Sequence, residues 1–460
     1  MRRRGGGGLK DAARDQLLAA ARASRKIGLE RRLDRLMPAA AEGRTEAAFD
    51  FGTLEPARQL RIQRAAAEVL GIDMPFFRPH EVRAAAHTRI DGRDLINFSS
   101  YDYCGLNGHP RVTAAATAAT DAFGTSVSAS RVVSGERPFH RDLERSLAHF
   151  LGTQDAVAMV SGHATNVTTI GHLVGPKDLV LADAFIHNSI VEGVRLAGAT
   201  RVTFRHNDLD HLAELLAANR HKHKRALIAV EGLYSMDGDV PPLARLVRLK
   251  NRHDAWLLVD EAHALGVVGA TGRGLAEREG VDPSSVEIWM GTLSKTLASC
   301  GGFIAGSTAL VEYLKATAPG FVFSVGMPPA SAAAALEALA VLEEEPERVA
   351  ALAANGRRFL EAARAAGLDT GTSEGLAVIP VIVRDSIVAA MVSHRLGVAG
   401  VNAQPIIFPA VPEKAARLRF FINSTHSAED IDTAVRLTAE CLERTRRDGE
   451  GLAQLAERLR

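Results

Sequence analysis

The sequence predicts an α/β domain built on a mostly parallel sheet. Short apolar runs, mostly rich in Val, Ile and Leu, recur between residues 155 and 305, and amphipathic stretches such as 208–219 and 242–252 alternate with them. Gly, Ser or Asp flanks these runs, as is typical of strands that are covered by helices on both faces. The runs lie at 156–160, 179–181, 201–204, 226–230, 256–259, 287–290 and 303–305.

The segments before this region predict a helix, a linker and a hairpin. Residues 60–70 have the Ala-rich spacing of a helix, and Gly71, Pro75 and Pro79 after it indicate an extended linker. Residues 89–93, with the sequence RIDGR, are typical of a hairpin turn that leads into an apolar strand.

The segments after this region predict a second domain. After Pro328 an Ala/Leu/Glu-rich helix is expected to run to about residue 345, and mixed helices and short strands follow. We therefore expect a large domain with a smaller α+β domain after it. The predicted divisions are an N-terminal extension at 1–80, the large domain at 81–327 and the small domain at 328–460.

Composition excludes several classes of protein. The 460 residues are 47% hydrophobic and 24% charged, which is typical of a globular protein with more than one domain. A net charge of +1 provides no overall field for nucleic acid, and no apolar stretch reaches the ~18 residues of a membrane span. Cys104, Cys300 and Cys441 are far apart, so we expect neither disulfides nor a metal site, and a reducing cytoplasmic location.

The N-terminal arm differs in charge from the rest of the chain. Residues 1–40 carry eleven Lys or Arg and four Asp or Glu, a local balance of +7. A solvated helix is the simplest interpretation of this arm. An organelle-targeting segment is a weaker one, because Asp11 and Asp15 interrupt the basic run. Docking of an acidic partner is a third interpretation, and the sequence leaves it open.

Lysine is scarce, and this makes one position conspicuous. Only nine of the 55 basic residues are Lys. Lys295 follows a predicted strand within the small, hydroxylic sequence GTLSKT, with Gly301 and Gly302 just beyond. Burial there would lower the pKa of the amine, and a neutral amine can form a Schiff base with a carbonyl. A surface lysine with no such role is the alternative.

A carboxylate and a histidine follow a neighbouring strand. Asp260 and His263 lie in the sequence DEAH directly after the run 256–259, where α/β proteins commonly place their sites. The same letters occur in helicases, but these need a phosphate loop that contains Gly-Lys, and the chain has no such pair. A strand-end turn without function remains the other interpretation.

Taken together, these positions predict a pyridoxal 5′-phosphate (PLP) site. PLP needs a lysine for its aldehyde and a carboxylate for its ring nitrogen, and Lys295 and Asp260 can provide them. Its phosphate needs N–H donors at a helix start, and residues 161–166 (SGHATN) follow a strand and open a helix. A nicotinamide site is disfavoured because Gly269, Gly272 and Gly274 have the wrong order for a dinucleotide-binding loop.

Ordered motifs between about residues 97 and 434 give this chain a family resemblance. It resembles the α-oxoamine synthases, a branch of the fold-type I PLP enzymes. Such a resemblance implies the aspartate-aminotransferase-like fold, with a mostly parallel seven-stranded sheet in the large domain. The motifs are 97–106 (NFSSYDYCGL), 134–135 (SG), 161–166 (SGHATN), 183–189 (DAFIHNS), 205–208 (RHND), 231–239 (EGLYSMDGD), 259–266 (VDEAHALG), 291–295 (GTLSK) and 416–419 (ARLR).

The resemblance implies a catalytic role for four residues. Lys295 is similar to the lysine that forms the Schiff base, and Asp260 to the partner of the ring nitrogen. His187 is similar to the imidazole that stacks on the cofactor ring, and His263 to a donor to the phenolic oxygen or to the incoming acyl group.

Further residues are implied to bind the cofactor and the amino acid. In a homodimer with shared active sites, one residue would reach the site of the other subunit. The implied cofactor-binding residues are Ser161, Gly162, His163, Ser235, Thr292 and, across the dimer interface, Ser324. The implied substrate-binding residues are Arg419, for the amino-acid carboxylate, and Tyr101.

The implied reaction is a decarboxylative Claisen condensation. Lys295 would remove the α-proton of a small L-amino acid, and the resulting carbanion would attack an acyl thioester to give an α-amino ketone. An aminotransferase or lyase of the same fold is the alternative activity. A cofactor-free binding subunit is disfavoured, because Lys295, Asp260 and His187 are all present.

The substrates are less well specified by the resemblance. Tyr101 is shared with the serine-using branch and favours L-serine over Gly or Ala, whereas Ile407 stands where the bacterial form of that branch has Arg. The long N-terminal extension and the sequence GERP at 135–138 are typical of secondary-metabolite enzymes. The acyl group would then come from acyl-CoA or from an acidic acyl carrier protein that residues 1–40 could dock.

Overall fold

The computed structural model describes residues 50–458, so the predicted basic arm at 1–40 lies outside the described residues. Its strands form one large sheet and two small ones. They are β1 (His87–Ile90), β2 (Arg93–Asn97), β3 (Asp155–Met159), β4 (Leu179–Asp183), β5 (Thr200–Phe204), β6 (Ala226–Glu231), β7 (Trp256–Asp260), β8 (Ile288–Thr292), β9 (Gly302–Gly306), β10 (Val378–Ile382), β11 (Val401–Asn402), β12 (Gln404–Ile406) and β13 (Arg417–Phe421).

The large sheet contains seven strands in the order β3-β9-β8-β7-β6-β4-β5. Each predicted apolar run forms one of these strands. Strand β9 is antiparallel to β3 and to β8, whereas the other neighbours pair in parallel. The prediction of a mostly parallel sheet is therefore confirmed, and the ends of β3, β4, β6, β7 and β8 lie along the same edge.

Helices occupy both faces of the large sheet and the C-terminal part of the chain. They are α1 (Glu55–Leu70), α2 (Pro110–Phe123), α3 (Pro138–Leu151), α4 (Gly162–Leu173), α5 (Asn188–Ala197), α6 (Leu209–Asn219), α7 (Leu243–Arg252), α8 (Leu275–Glu279), α9 (Thr308–Thr317), α10 (Pro319–Val322), α11 (Pro329–Glu344), α12 (Glu347–Ala365), α13 (Ser386–Ala399) and α14 (Ala428–Arg458).

Alternate residues of the large sheet point into two separate hydrophobic cores. In β6, Ile228 and Val230 pack into the core formed with α3, α6 and α7, while Leu227 and Ala229 pack into the core formed with α4, α5 and α9. Successive side chains of a strand point to opposite faces, so a strand covered on both sides must be apolar throughout. That requirement explains why the strands appear in the sequence as unbroken apolar runs.

The predicted hairpin is present and joins distant parts of the chain. Strands β1 and β2 pair around Asp91 and Gly92, whose φ angles are 51° and 68°. Two consecutive positive φ values are typical of the tight hairpin turn that Asp-Gly favours. Strand β2 also pairs in parallel with β11, although the sequence had placed these strands in different domains.

The C-terminal part has the mixed α and β character that the sequence predicted. Helix α11 matches the expected helix after Pro328, and strands β10, β13 and β12 form a second three-stranded sheet. Helix α1 begins at Glu55, five residues before the predicted start, and Pro56 lies in its first turn, where the fixed φ of proline suits a helix. The exact domain boundaries stay a prediction.

Among residues 50–458, no helix combines the length and apolarity needed to cross a membrane. Within the same range, no group of three or more His, Cys, Asp or Glu side chains is arranged to hold a metal ion.

Candidate active site

The predicted site residues lie at one edge of the large sheet. Asp260 ends β7, Thr292 ends β8 with Lys295 three residues later, and Ser161 follows β3. His187 follows β4 and caps the start of α5. These strands run in parallel, so their carboxyl ends meet and form the edge where open α/β sheets commonly bind ligands.

The Lys295 amine is placed to react as a neutral group. Its Nζ lies 5.6 Å from the centroid of the Tyr101 ring. Burial lowers the pKa of Lys295 to about 8, although the nearby acidic groups Asp260 and, when ionised, Glu231 oppose this shift. A pKa of about 8 leaves roughly a tenth of the amine unprotonated at pH 7, far more than in an ordinary lysine, and nucleophilic or basic chemistry requires this free amine.

The Asp260 carboxylate is buried and fixed by two donors. Its Oδ1 accepts from the Ala262 amide at 2.9 Å, and its Oδ2 accepts from Asn166 Nδ2 at 2.8 Å. Glu231 lies opposite Asp260 in the pairing of β6 with β7. Burial, followed by the charge of Asp260, raises the pKa of Glu231 to about 8, so Glu231 is a neutral acid at neutral pH.

His187 is exposed at the position that caps α5. Its Nδ1 accepts from the Ser189 amide at 3.3 Å and lies 2.7 Å from Ser189 Oγ. Burial is the main cause that lowers the pKa of His187, so the imidazole is neutral near pH 7. The ring of His163 stands edge-on to it, with the centroids 6.3 Å apart.

His263 belongs to an aromatic cluster with Tyr101, Tyr103 and Phe421. The Tyr103 hydroxyl lies 2.7 Å from His263 Nδ1, and the ring of Phe421 is nearly parallel to the imidazole at 6.2 Å. Tyr101 packs edge-on against both rings. Burial lowers the pKa of His263 well below its ordinary value. With Tyr103 donating to Nδ1, Nε2 carries the proton and can donate to a bound group.

Arg419 is a cation that lacks a complete set of partners. Its Nη1 donates to the Ser235 carbonyl at 3.1 Å, and its Cζ lies 4.6 Å from the centroid of the Phe421 ring. Its Nε is buried and has no hydrogen-bond partner in the part of the chain that the structure describes. Burial lowers the pKa of Arg419 from its ordinary value. A carboxylate ligand would satisfy this guanidinium.

The start of α4 forms a cradle of backbone amides. Ser161 caps the helix by accepting from the Ala164 amide at 3.3 Å, which leaves the amides of Gly162 and His163 at the open end. A Cβ at Gly162 would lie 2.7 Å from Thr292 Oγ1, so only glycine allows this close approach. Phosphate fits such a site because helix starts carry free N–H donors and a partial positive charge.

These features fit PLP by the chemistry of each group. Lys295 offers an amine for the aldehyde, Asp260 a buried carboxylate for the ring nitrogen, and the start of α4 a cradle for the phosphate. Ser235 is also at the site, where its carbonyl contacts Arg419. Ser324 makes no hydrogen bond to these residues among the described contacts: its hydroxyl donates to the Val325 carbonyl at 3.3 Å, and the residue lines a small cavity together with Arg131 and Val160.

Several residues that the structure brings into the site have no predicted role in the sequence. Asn166 and Tyr103 lie inside the matched motifs, and this position in a motif was the only sign of a role in the sequence. Their hydrogen-bond partners, Asp260 and His263, are distant in the chain. Phe421 lies two residues after Arg419 on β13 and therefore points to the same face. Ser189 and Glu231 are buried polar residues next to predicted site residues.

The family model for aminotransferases of class I and II matches residues 93–437. The chain belongs to this family. It is 41% identical to 8-amino-7-oxononanoate synthase of Symbiobacterium thermophilum over 76% of this chain and 89% of that protein. It is 42% identical to the Methylobacterium sp. protein of the same name, over 80% of this chain and 93% of that protein.

Solved structures support the same assignment. Serine palmitoyltransferase of Sphingomonas wittichii superposes with a TM-score of 0.82 at 31% identity, covering 86% of this chain and 99% of that one. A PLP-containing structure of the S. paucimobilis enzyme gives 0.81 at 29% identity, covering 88% and 99%.

Within the family, the chain is an α-oxoamine synthase with the fold-type I architecture. It is a PLP-dependent acyltransferase that condenses an amino acid with an acyl thioester and releases carbon dioxide. The predicted family, fold class, cofactor and class of enzyme are thereby confirmed. The roles of the individual site residues stay predictions.

Proposed function

We propose that the substrates are L-alanine and a thioester of a seven-carbon dicarboxylic acid, the pimeloyl group. The curated relatives described above are 8-amino-7-oxononanoate synthases. In that product the amino carbon, C8, bears a methyl group, so the amino acid is alanine without its carboxyl carbon. The ketone at C7 is the former thioester carbonyl, so C1–C7 is the acyl group.

Alanine takes the place of the serine that Tyr101 favoured. That preference depended on one residue, and Ile407 already opposed it. The oxononanoate synthases named above share 41–42% of aligned residues with this chain, whereas the serine palmitoyltransferases share 29–31%. The higher sequence identity to the oxononanoate synthases, over aligned lengths that are comparable, therefore favours the alanine-derived product.

The observation that supports a carboxylate-bearing substrate most strongly is the incomplete hydrogen bonding of Arg419. Its buried Nε has no partner in the described part of the chain, and it points to a ligand with an acceptor group. An amino acid whose carboxylate pairs with Arg419 would lie beside the Lys295 amine. The carboxylate is lost as carbon dioxide later in the reaction, so Arg419 also orients the bond that breaks.

The chain's own residues have distinct tasks in this reaction. When bound, PLP supplies an electron sink that stabilises negative charge on the α-carbon. Lys295 accepts the α-proton, because its lowered pKa keeps part of the amine free. Asp260 would hold a positive charge at the ring nitrogen, and His187 would lie against the ring. His263 would donate to an oxygen of the cofactor or of the acyl group.

The bonds that form and break in this reaction determine which products an experiment should measure. One carbon–carbon bond forms, the thiol leaves, and the bond from the α-carbon to the carboxylate breaks to release carbon dioxide. Purified protein with PLP should release thiol and carbon dioxide in equal amounts from alanine and pimeloyl-CoA, and should use serine and glycine at least tenfold more slowly. Serine as the best substrate would refute the alanine proposal. Keto-acid formation without thioester consumption would indicate an aminotransferase.

We further propose a homodimer in which Ser324 reaches the site of the other subunit, and an acidic acyl carrier protein as a donor of the acyl group. Deletion of residues 1–40 should reduce turnover of the carrier-bound thioester and leave pimeloyl-CoA unaffected. If deletion leaves the turnover of each thioester unchanged, the arm does not dock the carrier.

We also propose a cytoplasmic location, which the three widely spaced cysteines favour.

A further inference from the structure

We propose that Asn166 is a positioning residue that fixes Asp260 and His187 relative to each other. The inference rests on the proposed function, because it concerns two side chains that would contact PLP. Asn166 is fully buried in the first turns of α4. Among the described residues, no hydrogen bond joins Asn166 to Lys295 or to Arg419, so Asn166 acts through its neighbours.

One amide group bridges the two side chains. Asn166 Nδ2 donates to Asp260 Oδ2 at 2.8 Å and to Ser189 Oγ at 3.0 Å. Ser189 Oγ lies 2.7 Å from His187 Nδ1, whose other neighbour is the Ser189 amide. Ser189 can therefore accept from Asn166 and donate to His187. A continuous chain of hydrogen bonds links the ring-nitrogen carboxylate to the stacking imidazole.

The orientation of the amide follows from its partners. A carboxylate only accepts, so the NH₂ group of Asn166 must face Asp260. In the opposite orientation, Oδ1 would stand against the Asp260 carboxylate. Both N–H groups are engaged, and the buried Oδ1 has no partner among the described residues. Leaving a buried acceptor unpaired is costly, which indicates that the two donated bonds determine this geometry.

The packing of α4 against α5 makes the bridge possible. Ser189 lies in the first turn of α5, and Gly193 lies one turn later. A Cβ at Gly193 would approach the Asn166 carbonyl to 3.0 Å, so glycine permits the close helix contact. Helix α4 thus holds three parts of the proposed cofactor site together: the phosphate cradle at its start, Asp260, and His187 through Ser189.

The test compares Asn166→Ala and Asn166→Asp with a matched control on the same helix. Thr169 is also fully buried, and its hydroxyl has no partner among the described residues, so Thr169→Ala removes a similar volume without removing a hydrogen bond. Asn166→Asp keeps the shape of the side chain but replaces its donors with acceptors beside Asp260. The measurements are PLP affinity, visible circular dichroism of bound PLP, and the pH midpoint of its absorption.

We expect both Asn166 variants to bind PLP at least tenfold more weakly, with a displaced pH midpoint and reduced visible dichroism. Thr169→Ala should stay within about twofold of the unsubstituted protein, at a similar melting temperature of the cofactor-free protein. An Asn166→Asp variant with unchanged spectra and affinity would overturn the inference, as would Asn166→Ala behaving like Thr169→Ala. If the unsubstituted protein takes up no PLP, the proposed function fails instead.

Discussion

At the scale of single residues, the electrostatics of the site arise mainly from burial. Burial lowers the pKa values of Lys295, His187 and His263 and raises that of Glu231. With a pKa of about 8, Lys295 is mostly protonated at pH 7, and its free-amine fraction grows as the pH rises toward 8. The lowered pKa values of His187 and His263 keep both imidazoles neutral. A base that is partly free near neutral pH and the positive charge of Arg419 suit the proposed tasks of moving an α-proton and binding an amino-acid carboxylate.

Replacement of Arg419 by Ala should reduce kcat/KM for the amino acid about 100-fold, chiefly through KM. A charge-assisted hydrogen bond contributes about 1.5–3 kcal/mol, and the alanine variant loses both the bond and the charge. Arg419→Lys should lose less, because it keeps the charge without the planar fork. Steady-state kinetics measure the effect, and Arg436→Ala, at an exposed residue paired with Glu440, is the control. A normal KM in Arg419→Ala would exclude carboxylate binding by Arg419.

The residues that sequence could identify are those whose chemistry is visible in a local motif. Lys295 and Asp260 each lie at or just after the end of an apolar run, and the two positions together predict PLP chemistry. Asn166 could not be identified in this way, because its partner Asp260 lies 94 positions away. Phe421 was missed for another reason. A buried aromatic residue in a strand is ordinary core sequence until the fold places Arg419 and His263 beside it.

At the scale of secondary structure, His206 ties several segments around the site together. Its Nδ1 lies 2.9 Å from Asp183 at the end of β4, and its Nε2 lies 3.0 Å from Asp239 in the turn after β6. Phe185 stacks on its ring at 4.4 Å, and Tyr234 packs edge-on. Asp183 begins the loop that presents His187, so this ion-paired cluster supports the loop directly.

The cluster gives a pH-dependent prediction. Asp183 and Asp239 raise the pKa of His206 to about 10 against the opposing effect of burial, from an ordinary value of 6.5. A raised pKa in the folded state means that protonated His206 stabilises the fold. This stabilisation is complete below about pH 6.5 and is lost as the pH rises through about 10. His206→Gln should therefore lower the free energy of unfolding by about 2–3 kcal/mol at pH 6, with a smaller difference at pH 9–10.

Urea unfolding at pH 6, 8 and 10 measures this difference. The control is His221→Gln, at an exposed position in the short turn after α6. The control should show little change at any of these pH values. A His206→Gln effect that is constant from pH 6 to pH 10 would contradict a charged imidazole, because the loss would then come from packing alone.

Secondary structure also shows where sequence prediction succeeds and fails. The seven strands were predictable because burial on both faces requires continuous apolar runs. The pairing of β2 with β11 was not, because it joins Ile96 to Val401 and neither strand is distinctive in composition. Long-range pairings depend on the assembled fold, and the sequence provides only the short segments that take part in them.

At the scale of the whole molecule, an apolar surface surrounds Ser324. The surface is formed by Val132, Val133, Phe323 and Val325, and we call it the apolar face. Val133 is 81% exposed and Phe323 is 85% exposed, which is unusual for large apolar side chains. A bridge between Ser130 and Val325 holds the two contributing segments together. Contact with a second subunit would bury this face and carry Ser324 toward the partner's site.

Phe323→Glu should therefore weaken both dimerisation and PLP binding. A charge at the centre of the apolar face opposes burial, and a monomer would lack the Ser324 contact from its partner. Val398→Glu is the matched control, because Val398 is 57% exposed on α13 and does not belong to the apolar face. Sedimentation velocity and PLP titration should show at least tenfold weaker dimerisation in Phe323→Glu alone, with PLP affinity falling in parallel. A dimeric Phe323→Glu protein with normal PLP affinity would show that the subunits meet elsewhere, since no well-packed apolar interface tolerates a buried, unpaired carboxylate.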